Sequence, residues 1–98
     1  MNIEMIRNGR SAVITVDGRL DTMTSPEFEK YLNENIEGID ELTVDCEKLK
    51  YVSSAGLRVL LSAHKRMSAV GGMKLVNVSE IVNEVFEITR FSDILNIE

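Results

Sequence analysis

Two adjacent serines stand just before a leucine-rich run in the stretch YVSSAGLRVLL, residues 51–61. Serine is favoured at the start of a helix, because its side-chain oxygen accepts a backbone N–H there and contributes about 1 kcal/mol. A hydroxyl at that position is also accessible, and phosphorylation would add about −1.5 to −2 charges that the helix dipole tolerates. The residue types therefore leave two roles open for Ser53 and Ser54: a structural cap or a phosphorylated switch.

The patterns typical of enzymes and metal sites are absent from the sequence. The single histidine, His64, falls on the apolar face of a predicted helix, and the single cysteine, Cys46, on the core-facing side of a predicted strand. Packing is the more typical role for both, since reactive thiols need exposure and a lowered pKa. One Cys and one His cannot form a zinc site, and the stretches GRLD and VGGMK are too short to cradle a nucleotide phosphate. We therefore expect no enzymatic activity, no cofactor and no metal.

Length and charge limit the remaining classes. The 98 residues predict one domain, residues 1–98, and the net charge of −5 argues against a protein that binds nucleic acid directly. No run of about 18 apolar residues occurs, so we expect no membrane insertion. The N-terminus lacks the profile of a signal peptide, and one cysteine allows no internal disulfide, which favours a reducing cytoplasm.

The segment IEMIRNGRSAVITV predicts a β-hairpin, because Asn-Gly between two apolar runs is typical of a tight type I′ turn. A turn centred on Asn8-Gly9 pairs Met5 with Ala12, pairs Ile3 with Ile14 and places Arg7 opposite Arg10. The apolar face of this hairpin is expected to hold Ile3, Met5, Ile14 and Val16.

Alternating helices and strands follow the hairpin. A first helix carries the stripe Phe28, Leu32 and Ile36, with two capping schemes open. In one, Ser25 is the cap and Pro26 the first helical residue; in the other, Thr24 forms a capping box with Glu27. ELTVDC and MKLVNV predict two strands. The long helix between them is expected to bury Leu57, Leu60, Leu61, His64, Met67 and Val70. A helix capped by Ser79 is expected to bury Ile81, Val82, Val85 and Phe86, and a last helix capped by Ser92 to bury Ile94 and Leu95.

The order β-β-α-β-α-β-α-α predicts an α/β fold with a mixed, four-stranded sheet. Right-handed crossovers make the last three strands parallel. The helices are expected mainly on one face, with Thr15, Thr43, Asp45 and Lys74 on the other. The serine pair would then lie at the carboxyl end of a parallel strand, the usual place for binding in open α/β sheets.

Three segments together resemble a known family: GRLD before a Thr-led helix, DCEKLKYVSSAGLRVLL, and GGMKLVNVSEIVNEVFEITRFSDILNI. The resemblance, over essentially the whole chain, is to the STAS domain of anti-sigma factor antagonists. It implies a protein that binds an anti-sigma factor, commonly a serine kinase of the histidine-kinase-like ATPase type, and so releases a sigma factor. It also implies that this kinase ends the interaction by phosphorylating a serine of the antagonist. A metal-dependent, PP2C-type phosphatase then removes the phosphate and restores the interaction.

Aligned on Gly56-Leu57, the resemblance assigns the phosphorylated serine to Ser54, which makes Ser53 the better candidate for the helix cap. Asp21 matches the aspartate of the family's Gly-X-Leu-Asp loop, although a purely loop-ordering role for Asp21 is equally open. Ser53 stands where the family commonly has aspartate, which keeps a second function open: a non-phosphorylated STAS interaction module, such as a transporter accessory subunit or a signalling scaffold. The expected partner-binding residues are Asp21, Thr22, Ser53, Ser54, Ala55, Gly56 and Arg58.

Overall fold

A computed structural model describes all residues from 1 to 98, and five strands and three helices account for most of them. In chain order these are β1 (Asn2–Asn8), β2 (Ser11–Leu20), α1 (Ser25–Asn35), β3 (Glu41–Asp45), β4 (Leu49–Val52), α2 (Ser54–Ser68), β5 (Gly72–Val76) and α3 (Glu80–Ile88), followed by a 3₁₀ turn (Phe91–Asp93). The predicted α/β class and the predicted order are confirmed, with one additional strand, β4.

The sheet runs in the order β1-β2-β3-β5, and β4 pairs with the far end of β2. As predicted, β1 is antiparallel to β2, and β2, β3 and β5 are mutually parallel. The sequence did not reveal β4 because its burial does not alternate: Lys50 and Tyr51 are both exposed. Gly18 pairs with Leu49 and Arg19 with Tyr51, so Lys50 has no partner in β2. Such a bulge breaks the period-two pattern by which a strand is recognised.

The register of the hairpin differs from the prediction. Asn8 pairs with Ser11 and Met5 with Ile14, so Gly9 and Arg10 form the turn. Only Gly9 has a positive φ there, 65°, as a type II′ turn requires at its first central position. The expected pairing of Arg7 with Arg10 is therefore wrong. The expected apolar face survives, because a shift of two residues leaves the side-chain alternation unchanged.

The helices cover one face of the sheet, as predicted. On the other face Thr15, Thr43 and Asp45 are half-buried and Lys74 is exposed. The buried arc of α2 differs from the expected one: Val59 and Ala63 are buried, whereas Leu61 and His64 are only half-buried and Val70 is exposed. The reason is that α2 packs on α1 as well as on the sheet, and the cleft between the two helices is lined by Leu32, Ile36, Val59 and Ala63, among others.

The C-terminal part buries fewer residues than its apolar content suggested. In α3, Val82 and Phe86 are buried, but Ile81 is 68% exposed and Val85 is half-buried. The predicted last helix is only the 3₁₀ turn, with Arg90 rather than Ser92 preceding it. Leu95 is buried there and Ile94 is not. A short turn presents one side chain inward where a full helix would present two.

Candidate functional site

The two serines at the start of α2 have different surroundings. Ser53 is the N-cap, with extended backbone, and its Oγ accepts the Gly56 backbone N–H at 3.4 Å. Ser54 is the first helical residue and is exposed. The hydrogen bonds at this helix start do not involve the Ser54 hydroxyl. The structure therefore gives the capping role to Ser53 and leaves the Ser54 oxygen free.

Strand β4 places this helix start beside the loop that follows β2. Leu20 pairs with Val52 at the end of the two strands, and the Ser53 N–H donates to the Leu20 carbonyl at 2.8 Å. Gly56 lies directly against the same residue, since a Cβ there would be 2.7 Å from Leu20 Cγ and 2.8 Å from its carbonyl oxygen. The glycine is thus required by a close approach, and it is buried. Among the expected partner-binding residues, Gly56 positions the surface and is not itself exposed.

The loop after β2 is organised by Asp21 and Thr24. The Asp21 carboxylate accepts the backbone N–H groups of Met23 at 2.9 Å and Thr24 at 3.1 Å. The Thr24 hydroxyl accepts the Asp21 N–H at 2.9 Å and donates to the Arg19 carbonyl at 2.6 Å. The Thr24 backbone N–H is the main cause that holds the pKa of Asp21 below its ordinary value, and the Met23 N–H adds to it. Asp21 therefore has the loop-ordering role, whatever else it contacts.

Thr24 is the N-cap residue of α1, as one of the two predicted schemes has it, but the side-chain bonds of that scheme do not form, and the scheme with Ser25 as the cap is wrong. Thr24 has helical backbone angles and makes no side-chain cap hydrogen bond, so no capping box with Glu27 forms. Ser25 is the first residue of the helix, and its hydroxyl donates to the Asp21 carbonyl. Both hydroxyls instead bond to backbone groups of Arg19 and Asp21, which precede the helix.

The remaining predicted site residues lie around this edge with graded exposure. Thr22 and Arg58 are exposed, and Ala55 is half-buried. Arg58 follows Ser54 by one helical turn and takes part in none of the chain's ion pairs. Met23, which the sequence analysis did not single out, is 86% exposed at the tip of the Asp21 loop. Its signal was weak because a methionine in a polar loop has no periodic neighbours.

A second pair missed by the sequence analysis is Arg19 and Tyr51. The Arg19 guanidinium carbon lies 4.3 Å from the centroid of the Tyr51 ring. The two residues are partners in the parallel pairing of β2 and β4. Without β4, the sequence could not bring them together.

Cys46 is buried and His64 is half-buried. Burial, together with the adjacent Asp45 carboxylate, raises the pKa of the Cys46 thiol to about 12. The thiolate is therefore not available at neutral pH. The Nδ1 atom of His64 makes no hydrogen bond.

The chain has no group of three or more His, Cys, Asp or Glu side chains arranged to hold a metal ion. None of its helices has both the length and the apolar character needed to span a membrane.

Comparison with known proteins gives one family model, the STAS domain, which matches residues 2–98. The anti-sigma-B factor antagonist of Bacillus subtilis (strain 168) is 28% identical over 98 residues, covering 99% of this chain and 90% of that protein. Two solved structures share the fold. An anti-sigma factor antagonist from Mycobacterium paratuberculosis superposes with a TM-score of 0.87 at 16% identity, covering 98% of this chain and 83% of that one. The Bacillus cell fate determinant SpoIIAA in its phosphorylated form gives a TM-score of 0.74 at 19% identity, covering 99% and 91%.

Proposed function

The chain belongs to the STAS domain family, and from that premise we propose that it is an anti-sigma factor antagonist that regulates sigma-factor-dependent transcription. Its relative in Bacillus subtilis is named an anti-sigma-B factor antagonist and matches almost the whole chain. The protein would act by binding an anti-sigma factor and so freeing a sigma factor, without catalysing a reaction itself. We place this activity in the cytoplasm, where a single buried cysteine stays reduced.

The binding surface we propose is the edge formed by the start of α2 and the Asp21 loop. It comprises Asp21, Thr22, Ser53, Ser54, Ala55 and Arg58, with Gly56 beneath them. Its supports are the exposure of Thr22, Ser54 and Arg58 and the backbone contact that holds Ser53 against Leu20. This edge is also where open α/β sheets usually bind their ligands.

The anti-sigma factor is proposed to be a serine kinase, and Ser54 its substrate. One observation carries this assignment: Ser54 is exposed and unbonded, whereas Ser53 provides the cap. A kinase needs a hydroxyl that can leave its surroundings without cost to the fold, and only Ser54 meets this at the α2 start. A metal-dependent, PP2C-type phosphatase would return Ser54 to its free form. SpoIIAA, which shares the fold, has a phosphorylated form.

Phosphate on Ser54 would act on the partner and not on the fold. The added charge of about −1.5 to −2 lies at a helix N-terminus, where the dipole favours it. Docking would then have to desolvate that charge and face like-charge repulsion from Asp21 or from a partner carboxylate. A loss of about 2–4 kcal/mol, or roughly 30- to 1000-fold in affinity, is enough for a switch.

The test uses purified anti-sigma factor kinases that are encoded in the same genome as this protein. Each is titrated with this protein by calorimetry in the absence of ATP, and binding is expected for one of them. With ATP, the wild-type chain should gain about 80 Da for one phosphate, whereas Ser54→Ala should gain nothing and still bind. Ser54→Asp should lose most of the affinity. Failure of every kinase to bind would refute the antagonist role. Binding that survives both Ser54→Asp and ATP would refute the switch.

A second candidate is a STAS interaction module that is not phosphorylated, such as a transporter accessory subunit or a signalling scaffold. The observation that favours it is Ser53, which stands where the family commonly has aspartate. Serine caps a helix about as well as aspartate, so the fold does not depend on that carboxylate. The intact mass of the protein from its native cells separates the two functions. A fraction heavier by about 80 Da, mapped to Ser54, supports the switch, and its absence under all growth conditions supports the module.

A further inference from the structure

Arg19 and Tyr51 form a rigid, exposed platform immediately beside the Ser54 edge. They are the last register partners before Leu20 and Val52, which are buried to 1% and 2% exposure. Because side chains alternate along a strand, the pair points away from the core. The Arg19 Nε also lies 3.9 Å from Asp21 Oδ2, which places the pair beside a residue of the proposed surface. The pair thus extends the proposed surface onto the outer face of the sheet.

The platform is preorganised and still free to bind. The Arg19 guanidinium stacks 4.3 Å above the Tyr51 ring, although the Arg19 side chain remains 62% exposed. Its nearest carboxylate contact, from Nε to Asp21 Oδ2, is 3.9 Å, which is too long for a hydrogen bond. The backbone N–H groups of Met23 and Thr24 bond to the other oxygen of that carboxylate, Asp21 Oδ1. The Tyr51 ring holds the Arg19 guanidinium in place, and the N–H donors of this guanidinium have no hydrogen-bond partner within this chain.

Two exposed arginines, Arg19 and Arg58, belong to or border the proposed surface. The chain carries a net charge of −5, but Arg58 takes part in no ion pair and Arg19 has only the 3.9 Å contact with Asp21. An arginine fork whose N–H groups make no hydrogen bond is complementary to a carboxylate on another molecule. Arginine and tyrosine are also the residue types that dominate binding energy at interfaces.

We propose that Arg19, held by Tyr51, is a principal partner-binding residue and that the segment it meets on the anti-sigma factor is acidic. This inference rests on the proposed function and specifies the partner's chemistry. It also explains why a phosphate at Ser54 would release that partner, because the phosphate would compete with the acidic segment for the same cationic edge.

The experiment compares variants in the calorimetric titration against the kinase that binds the wild type. Arg19→Gln should weaken binding about 10- to 100-fold and should flatten the loss of affinity with increasing salt. Tyr51→Leu, which removes the ring, should weaken it about 3- to 10-fold, whereas Tyr51→Phe keeps the ring and should stay within about twofold. The matched control is Arg10→Gln, which removes the same charge from the opposite end of the sheet, where Arg10 pairs with Asp40 at 2.8 Å.

The outcomes separate this inference from the function on which it rests. If Arg19→Gln binds as tightly as Arg10→Gln, the platform is only a structural contact and the inference is overturned while the antagonist role stands. If no kinase binds the wild type, both are overturned. Arg19→Gln could weaken binding and also lower the melting temperature by more than Tyr51→Leu does. In that case the variant Arg19→Lys separates a loss of affinity from a loss of stability. Lysine keeps the charge without the planar fork. Recovery of stability without recovery of affinity supports the inference, and recovery of both overturns the role of the fork.

Discussion

The starts of α1 and α2 contain similar residues that serve different purposes. Each helix follows the end of a parallel strand, and each start has two hydroxyl side chains in succession: Thr24 and Ser25 in one, Ser53 and Ser54 in the other. At α1 both hydroxyls are engaged by the loop, and Ser25 is only 2% exposed. At α2 only the first is engaged.

The difference arises from what each helix start is anchored to. The α1 start is held by its own loop, whose backbone groups take up the hydroxyls of Thr24 and Ser25. The α2 start is anchored to a neighbouring strand through the backbone bond from Ser53 to Leu20. Because this anchor uses no hydroxyl, Ser54 is left free. A free hydroxyl on a firmly held helix start is suited to reversible modification, since changing it does not disturb the anchor.

Gly56→Ala should break this arrangement with the largest effect on stability. A methyl group would meet Leu20 Cγ at 2.7 Å and its carbonyl oxygen at 2.8 Å, so the helix start must move away from β2. We expect the free energy of unfolding in urea to fall by about 2–3 kcal/mol. Ser62→Ala, at an exposed position of the same helix, is the control and should change it by less than about 0.5 kcal/mol. Wild-type stability in Gly56→Ala would show that the close contact is not required.

Removing single hydroxyls compares the two helix starts directly. Ser25→Ala deletes a buried donor and leaves the Asp21 carbonyl without that partner, so we expect a loss of about 1 kcal/mol. Ser54→Ala deletes an unbonded hydroxyl and should stay within about 0.5 kcal/mol of wild type. Thermal unfolding of both variants in the same buffer measures the contrast. Equal losses would mean that the Ser54 hydroxyl has a structural partner and is not free.

Ser53→Ala tests the cap that keeps Ser54 available. The bond from the Gly56 N–H to Ser53 Oγ is long, 3.4 Å, so we expect a loss near the lower end of cap energies, about 0.5–1 kcal/mol. Ser79→Ala is a matched variant, because the Ser79 oxygen accepts the Val82 N–H at 3.3 Å at the start of α3. Ser53→Asp should keep the wild-type stability. A larger loss in Ser53→Ala than in Ser79→Ala would point to a further role for Ser53.

Acid should reduce the contribution of the Asp21 carboxylate to the stability of the fold, and this is the smallest of the expected effects. The pKa of Asp21 is lowered in the folded chain from its ordinary value of 3.8. Its ionised carboxylate therefore stabilises the fold fully above pH 3.8, and this contribution is lost as the pH falls through the lower, folded pKa. The difference in urea midpoint between wild type and Asp21→Asn should be constant near neutral pH and shrink toward pH 3. Thr22→Ala, on the same loop, should show no such pH-dependent difference. A constant difference for Asp21→Asn would contradict the shift.

Much of the fold followed from local patterns. The parallel strands, the one-sided helix cover and the Ser53 and Ser79 caps depend on residue alternation and on contacts three residues apart, and both are written in the sequence. Patterns that depend on a distant partner were misjudged. The hairpin turn lies one residue later than Asn8-Gly9, and α2 buries Ala63 in place of Leu61 because α1 lies beside it.

The sequence by itself determined that a serine pair begins a long helix after a parallel strand, and it determined the family that such a segment resembles. Only the tertiary structure decided which loop lies beside this helix start and which arginine borders the edge. The physical reason is β4: its bulge at Lys50 hides the strand from any periodic pattern. Its pairing with β2 nevertheless brings Leu20 against Gly56 and Arg19 over Tyr51.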